Sequence, residues 1–65
     1  MKANLLKAKM VENGISADMI SNKLGINTST FYRKVKNNSF YTAETKKIAE
    51  CLKLSAQDID NIFFS

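Results

Sequence analysis

The 65-residue chain is predicted to be all-α, a compact bundle of about five short helices. Apolar residues recur three or four positions apart along most of the chain, which is the spacing of one buried helix face. No proline and only two glycines interrupt these segments, a composition that favours short helices with brief connections. Because a chain of this length supports one small core, residues 1–65 are interpreted as a single domain.

The first helix is predicted over residues 2–13. Its apolar stripe consists of Ala3, Leu6 and Met10, spaced as one helix face requires. The pair Asn13-Gly14 follows, and both residue types tolerate the left-handed conformation that ends many helices. We therefore expect a turn at this point.

A second helix is predicted over about residues 16–24. Ser16 is a suitable N-cap, and Ile20 and Leu24 lie four residues apart on one face. Gly25 comes where the helix must stop, and glycine adopts the left-handed conformation without a Cβ clash. A tight turn should therefore lead directly into the next helix, so that residues 16–36 form two helices joined by a turn.

The third helix is predicted over about residues 28–36, with Asn27 or Thr28 as its cap. Phe31 and Val35 should face the core. The outward face is then unusual, because it carries short polar side chains, an aromatic ring and cations: Thr28, Ser29, Tyr32, Arg33 and Lys36.

The remaining sequence predicts a loop at 37–41 and two further helices. Thr42 is expected to cap a fourth helix over about 42–53, and Phe40 should be buried beneath the loop. Ser55 and Asp58 resemble a capping box that opens the last helix. The fold is then completed by apolar residues of this last helix, namely Ile59, Ile62 and Phe63.

The charge balance points to a polyanionic partner. Ten basic and six acidic residues give a net charge of +4 and a pI near 9.4, which suggests nucleic acid first and an anionic membrane second. On charge alone, a soluble basic domain without such a partner is the alternative. A long basic amphipathic helix for a membrane surface would be interrupted at Gly14 and Gly25. We expect no membrane partner.

Neither an enzyme nor a metal protein is predicted. The chain has no histidine and one cysteine, Cys51, so the commonest general base and a cysteine cluster for zinc are both missing. Paired carboxylates and phosphate-binding glycine loops are also lacking, and no cofactor is expected. The N-terminal residues contain no apolar run typical of a signal peptide or membrane span, so a cytoplasmic location is expected.

The chain resembles the Cro/repressor (XRE-type) helix-turn-helix family, and in particular its small phage-type regulators. The likeness rests on residues 20–31, which read Ile20-x-x-x-Leu24-Gly25-Ile26-x-x-x-x-Phe31, and on the run from Gly25 to Lys34. It continues through Phe40 with Glu44, residues 47–50, residues 52–55 and residues 62–64. Three positions depart from the family pattern: Ser21 stands where alanine is usual, Ala17 where glutamine is common, and Lys34 where an apolar residue is common.

The resemblance implies a lambda-repressor-like fold and a regulator that binds specific double-stranded DNA operators and occludes promoters. In that family the positions of Tyr32 and Arg33 face the major groove. Arginine can bond guanine O6 and N7 with two parallel hydrogen bonds, although Arg33 could instead contact a phosphate and Tyr32 could pack on the second helix. We expect further contacts with base edges or phosphates from Asn27, Thr28 and Ser29, which could alternatively serve only as helix-start residues. Phosphate contacts are expected from Lys34, Lys36, Asn37 and Asn38, which could alternatively be only solvated.

Two expectations concern protein partners. Adjacent helical residues cannot share one face, so a buried Phe63 would leave Phe64 exposed for a homodimer contact, unless both rings fold back on the core. The alternative function is a protein-interaction module of antitoxin or antirepressor type that retains the helix-turn-helix fold.

Overall fold

The computed structural model describes residues 1–64, and this part of the chain forms five α-helices and no strand. The helices are α1 (Ala3–Glu12), α2 (Ala17–Leu24), α3 (Thr28–Asn37), α4 (Thr42–Leu52) and α5 (Ala56–Phe63). Connections of three or four residues join them. The prediction of a small all-α bundle is confirmed, and the bounds of α1 to α4 agree with the predicted ones to within one residue.

Every helix contributes to one apolar core. Phe40 from the α3–α4 connection packs its ring against the Phe31 ring at 5.8 Å between centroids and against the Phe63 ring at 6.3 Å. The burial predicted for Phe40 is partial, since the residue is half-buried against the core. The buried apolar residues are Leu6, Ile20, Phe31, Ile48, Leu52, Ile62 and Phe63.

The turn between α2 and α3 has the predicted chemistry. Ser16 caps α2 by accepting a hydrogen bond from the Met19 N–H at 3.2 Å. Gly25 ends the helix in the left-handed conformation, with φ 71°. Ser21 is buried in α2, and its hydroxyl donates to the carbonyl of Ala17 at 2.8 Å, so this polar group costs little in the position where the resembling family has alanine.

The start of α4 differs from the prediction. Tyr41, not Thr42, is the N-cap residue, because Glu44 lies at the third helical position and its carboxylate accepts the Tyr41 N–H at 2.9 Å. The predicted loop is also shorter, since Asn37 belongs to α3 and Asn38 ends that helix with φ 51°. With both corrections, the connection between α3 and α4 consists of residues 38–41.

The termini of the helices are tied together across the bundle. The Asn13 side chain donates to the carbonyl of Lys9 at 2.8 Å and to that of Leu52 at 3.1 Å, which joins the ends of α1 and α4. Ser55 and Asp58 form the predicted capping box of α5. The N–H of Ser55 is the main cause that lowers the pKa of Asp58.

Across residues 1–64, none of the helices has both the length and the apolar character that crossing a membrane would require.

Candidate nucleic-acid interface

The exposed face of α3 carries four of the predicted contact residues. Successive residues of an α-helix are about 100° apart, so positions 29, 32, 33 and 36 fall within an arc of about 100°. All four of these side chains are exposed, whereas Phe31 on the opposite face is buried. We call this surface the α3 face, and its residues are Ser29, Tyr32, Arg33 and Lys36.

Both cations of the α3 face are free of ion pairs. Within residues 1–64, neither Arg33 nor Lys36 lies within salt-bridge distance of a carboxylate. Both side chains are exposed, and no residue of this described part of the chain is their hydrogen-bond acceptor. A surface of this kind can offer hydrogen bonds and positive charge to an external anion.

Tyr32 is 55% exposed and forms one edge of the α3 face. Its ring meets the Phe31 ring edge-on, with centroids 5.8 Å apart. It also borders an apolar groove between α1 and α3, lined in part by Met10, Val11 and Val35. Lys7 lines the same groove, so α1 contributes a cation near the α3 face that the sequence analysis did not assign.

Lys34 does not belong to the α3 face. Its ammonium is 2.9 Å from the Glu44 carboxylate and 4.4 Å from the centre of the Tyr41 ring, and its side chain is only 12% exposed. Helical geometry explains the difference, since position 34 lies roughly 150° from the centre of the α3 face. The expected phosphate contact through Lys34 would require breaking this internal ion pair.

Thr28 is also engaged within the protein. Its hydroxyl donates to the Asp18 carboxylate at 2.7 Å, which links the first turn of α3 to the first turn of α2. A threonine hydroxyl has a single hydrogen to donate. Because phosphates only accept hydrogen bonds, the phosphate contact considered for Thr28 would require giving up the bond to Asp18.

The asparagines at the two ends of α3 remain available. Asn27 is the N-cap residue by backbone conformation, but its side chain makes no capping hydrogen bond, so the capping role considered for its amide is not realised. Asn37 and Asn38 are exposed at the other end. All three side chains are therefore free to extend the α3 face along the helix.

A second surface lies around Phe64. Phe63 is buried and Phe64 is 74% exposed, so the alternative in which both rings fold back on the core is wrong. Phe64 borders a shallow groove between α4 and α5, which Thr45, Ala49 and Ile59 line, with Lys46 and Glu50 beside them. We call this surface the Phe64 patch.

The acidic partners of Lys34 and Thr28 were missed by the sequence analysis. Glu44 and Asp18 each lie ten residues from the residue they contact. Such a separation crosses from one helix to another, and no periodic pattern within a helix reveals it. The sequence contained one indication that Lys34 is engaged within the protein. Lys34 stands where the resembling family commonly has an apolar residue, and such a position is expected to be buried.

Within residues 1–64, no three histidine, cysteine, aspartate or glutamate side chains are grouped to hold a metal ion. Comparisons with protein-family models, with curated proteins and with solved structures gave no match. The Cro/repressor likeness therefore stays a prediction.

Proposed function

We propose that this protein is a transcriptional regulator that binds specific double-stranded DNA, of phage Cro-like or repressor type, and that it acts by occluding a promoter. The observation that carries the proposal is the α3 face, where two unpaired cations lie beside short polar and aromatic side chains on one helix. The major groove of DNA is about 12 Å wide and accepts an α-helix. The net charge of +4 favours approach to the same polyanion.

The residues of the α3 face have separate roles in this proposal. Arg33 reads a guanine through two parallel hydrogen bonds, because a guanidinium matches the O6 and N7 acceptors. Ser29 and Tyr32 offer hydroxyl groups to neighbouring base edges, and Ser29 is slim enough to let the helix start approach closely. Lys36 and the three exposed asparagines (Asn27, Asn37 and Asn38) contact phosphates, which sets register and salt dependence.

The proposal includes no phosphate contact through Lys34 or through the Thr28 hydroxyl, whereas the Thr28 oxygen can still accept a hydrogen bond from a base edge. Lys34 is held by Glu44, and the Thr28 hydroxyl is held by Asp18. Moving the Lys34 ammonium from its carboxylate to a phosphate would leave Glu44 as a charge that is only 13% exposed without its cation, which is unfavourable. In the proposal these residues support the fold around the α3 face.

The test is selection of duplexes from a random-sequence library, followed by a salt series on the selected duplex and its shuffled control. We expect binding to the selected duplex to be tighter by on the order of 10³-fold or more at physiological salt. Equal, steeply salt-dependent binding to both duplexes would mean phosphate contact alone. No binding to either would favour the alternative, a protein-interaction module of antitoxin or antirepressor type.

A homodimer through Phe64 belongs to the same proposal. The molecule measures 27 × 24 × 20 Å, whereas successive half-sites on one side of the duplex are about 34 Å apart. One copy can therefore occupy only one half-site. The Phe64 patch presents an exposed ring beside an apolar groove, and Lys46 and Glu50 give it both charges, so two copies related by a twofold axis could exchange rings and pair opposite charges.

Sedimentation equilibrium tests the dimer with two charge-introducing variants. Phe64→Glu should shift the protein toward monomer, both alone and on DNA with two half-sites. Val11→Glu is the matched control for the free protein, because Val11 is 81% exposed on α1 and lies outside the Phe64 patch. It does not serve on DNA, since Val11 lines the groove next to Tyr32 of the α3 face. Loss of dimer in both variants, or in neither, would remove the Phe64 patch as the contact.

The proposal assigns the protein no catalytic step, no cofactor and no membrane partner. A cytoplasmic location follows from it, since that compartment holds the DNA of a phage or its bacterial host.

A further inference from the structure

One exposed hydrogen bond between side chains joins α2 to α3. Thr28 donates to Asp18 at 2.7 Å, and among the described residues this is the one hydrogen bond between side chains of these two helices. Asp18 lies seven residues before Gly25, which corresponds to about 10 Å along the helix axis. Thr28 lies three residues after it. The bond therefore joins a residue near the start of α2 to the first residue of α3. It gives the two helices a second connection besides the turn at Gly25.

The charge of Asp18 makes this contact unusual. An acidic side chain bound to the first residue of α3 lies near the start of the α3 face, where a DNA phosphate would be repelled. Asp18 also lies in the first turn of α2, where a negative charge is favourable for the helix dipole. The dipole explains why an acid is tolerated, but it does not require the bond to Thr28.

We infer that Asp18 is a positioning residue, which acts through Thr28 to fix the orientation of α3 relative to α2. The inference deepens the proposed function and depends on it for its effect on DNA recognition. The orientation itself is a property of the free protein. A helix that must place Ser29 and Arg33 against particular base edges loses specificity when its angle varies, because direct hydrogen bonds to bases require defined geometry.

Two pairs of variants separate the hydrogen bond from the charge. Asp18→Asn keeps a carbonyl oxygen that accepts the Thr28 hydroxyl and removes the negative charge, while Asp18→Ala removes both. Thr28→Ser keeps the donor, while Thr28→Val keeps the shape of the side chain and removes the donor. A role limited to the helix dipole predicts that both Asp18 variants behave alike and that both Thr28 variants behave like wild type.

The first measurement uses the free protein. Residual dipolar couplings of backbone N–H groups report the orientation of α3 relative to α2, and thermal unfolding checks that each variant is folded. We expect Asp18→Ala and Thr28→Val to change this orientation or broaden its distribution, while Asp18→Asn and Thr28→Ser match wild type. An unchanged orientation in all four variants overturns the inference, whatever the protein binds.

The second measurement is the ratio of the dissociation constants for shuffled and selected duplexes at fixed salt. We expect Asp18→Ala and Thr28→Val to lower this ratio about tenfold, the loss of one geometric contact. Asp18→Asn should keep the ratio and bind both duplexes more tightly, since a repulsive charge is gone. Equal ratios for Asp18→Ala and Asp18→Asn overturn the inference and leave the proposed function intact. If wild type selects no duplex while Asp18→Ala still reorients α3, the positioning role stands and the DNA proposal fails.

Discussion

The ammonium of Lys34 and the carboxylate of Glu44 lie 2.9 Å apart, and this pair joins α3 to the first turn of α4. Both side chains are largely buried, at 12% and 13% exposure. The same carboxylate accepts the N–H of Tyr41, and the Tyr41 ring lies against the ammonium at 4.4 Å. The Glu44 side chain, in the first turn of α4, thereby contacts both the residue before α4 and the side of α3 that lies opposite the α3 face.

Replacing Lys34 with methionine should destabilise the protein by about 1–3 kcal/mol, because it leaves the Glu44 carboxylate without its cation in a shielded place. Lys36→Met is the matched control on the same helix, since Lys36 is exposed and unpaired; its effect on stability should stay within about 0.5 kcal/mol. Urea unfolding measures both. Adding Glu44→Gln to Lys34→Met should recover part of the loss, since the amide oxygen still accepts the Tyr41 N–H.

The same two variants should behave in the opposite way on DNA. Lys36→Met is expected to reduce the salt dependence of binding by about one phosphate contact. Lys34→Met should leave that slope unchanged while the protein is folded, because its ammonium faces Glu44. A reduced slope for Lys34→Met would show that Lys34 leaves its internal partner when DNA binds.

Glu44 also predicts an acid-dependent loss of stability. Burial opposes ionisation of this carboxyl group, but the Tyr41 N–H and the Lys34 ammonium outweigh it and hold the pKa of Glu44 below its ordinary value of 4.5. A group with a lowered pKa in the folded state stabilises the protein above its unfolded pKa and loses that contribution as the pH falls through the folded pKa. The free energy of unfolding should therefore fall as the pH drops below about 4.5, and Glu44→Gln should lose less over that range than wild type does. Asp58 has a lowered pKa too, so Asp58→Asn should also reduce the slope, and the double variant separates the two contributions.

Substitutions at the C-terminal ends of α2 and α4 should change the free energy of unfolding in opposite directions. Gly25 has φ 71°, and no atom beyond the two adjacent residues lies within 4 Å of the point where a Cβ would stand. Gly25→Ala should therefore cost about 1–2 kcal/mol from backbone strain alone. Lys53 already occupies this conformation, with φ 53°, and its side chain is exposed. Lys53→Gly should stabilise the protein by about 0.5–1 kcal/mol, which corresponds to a rise of several degrees in Tm for a domain of this size. A fall in Tm for Lys53→Gly would mean that the lysine side chain contributes more than its backbone costs.

The helices were predictable from local sequence because their signals are local. Ser16 and Gly25 bound α2 through contacts within four residues, and the spacing of Phe31 identifies the inner face of α3. The candidate site was less predictable. Lys34 and Thr28 lie on the same short helix as Arg33, and only contacts with other helices distinguish them from it. Their partners, Asp18 for Thr28 and Glu44 for Lys34, come within hydrogen-bond distance only in the folded chain. Lys34 is largely buried beside Glu44, whereas Arg33 is exposed.

Two substitutions of Arg33 separate its contribution to sequence discrimination from its contribution of positive charge. Arg33→Lys keeps the positive charge but replaces a planar guanidinium with a point charge that cannot make two parallel hydrogen bonds to one guanine. We expect its salt slope to match wild type, while its discrimination between the selected duplex and a duplex altered at one base pair falls by about 1–3 kcal/mol. Arg33→Ala should lose the same discrimination and also show a shallower salt slope, because a cation is removed. If Arg33→Lys retains full discrimination, Arg33 contacts a phosphate, and the base reading must come from Ser29, Tyr32 or Asn27.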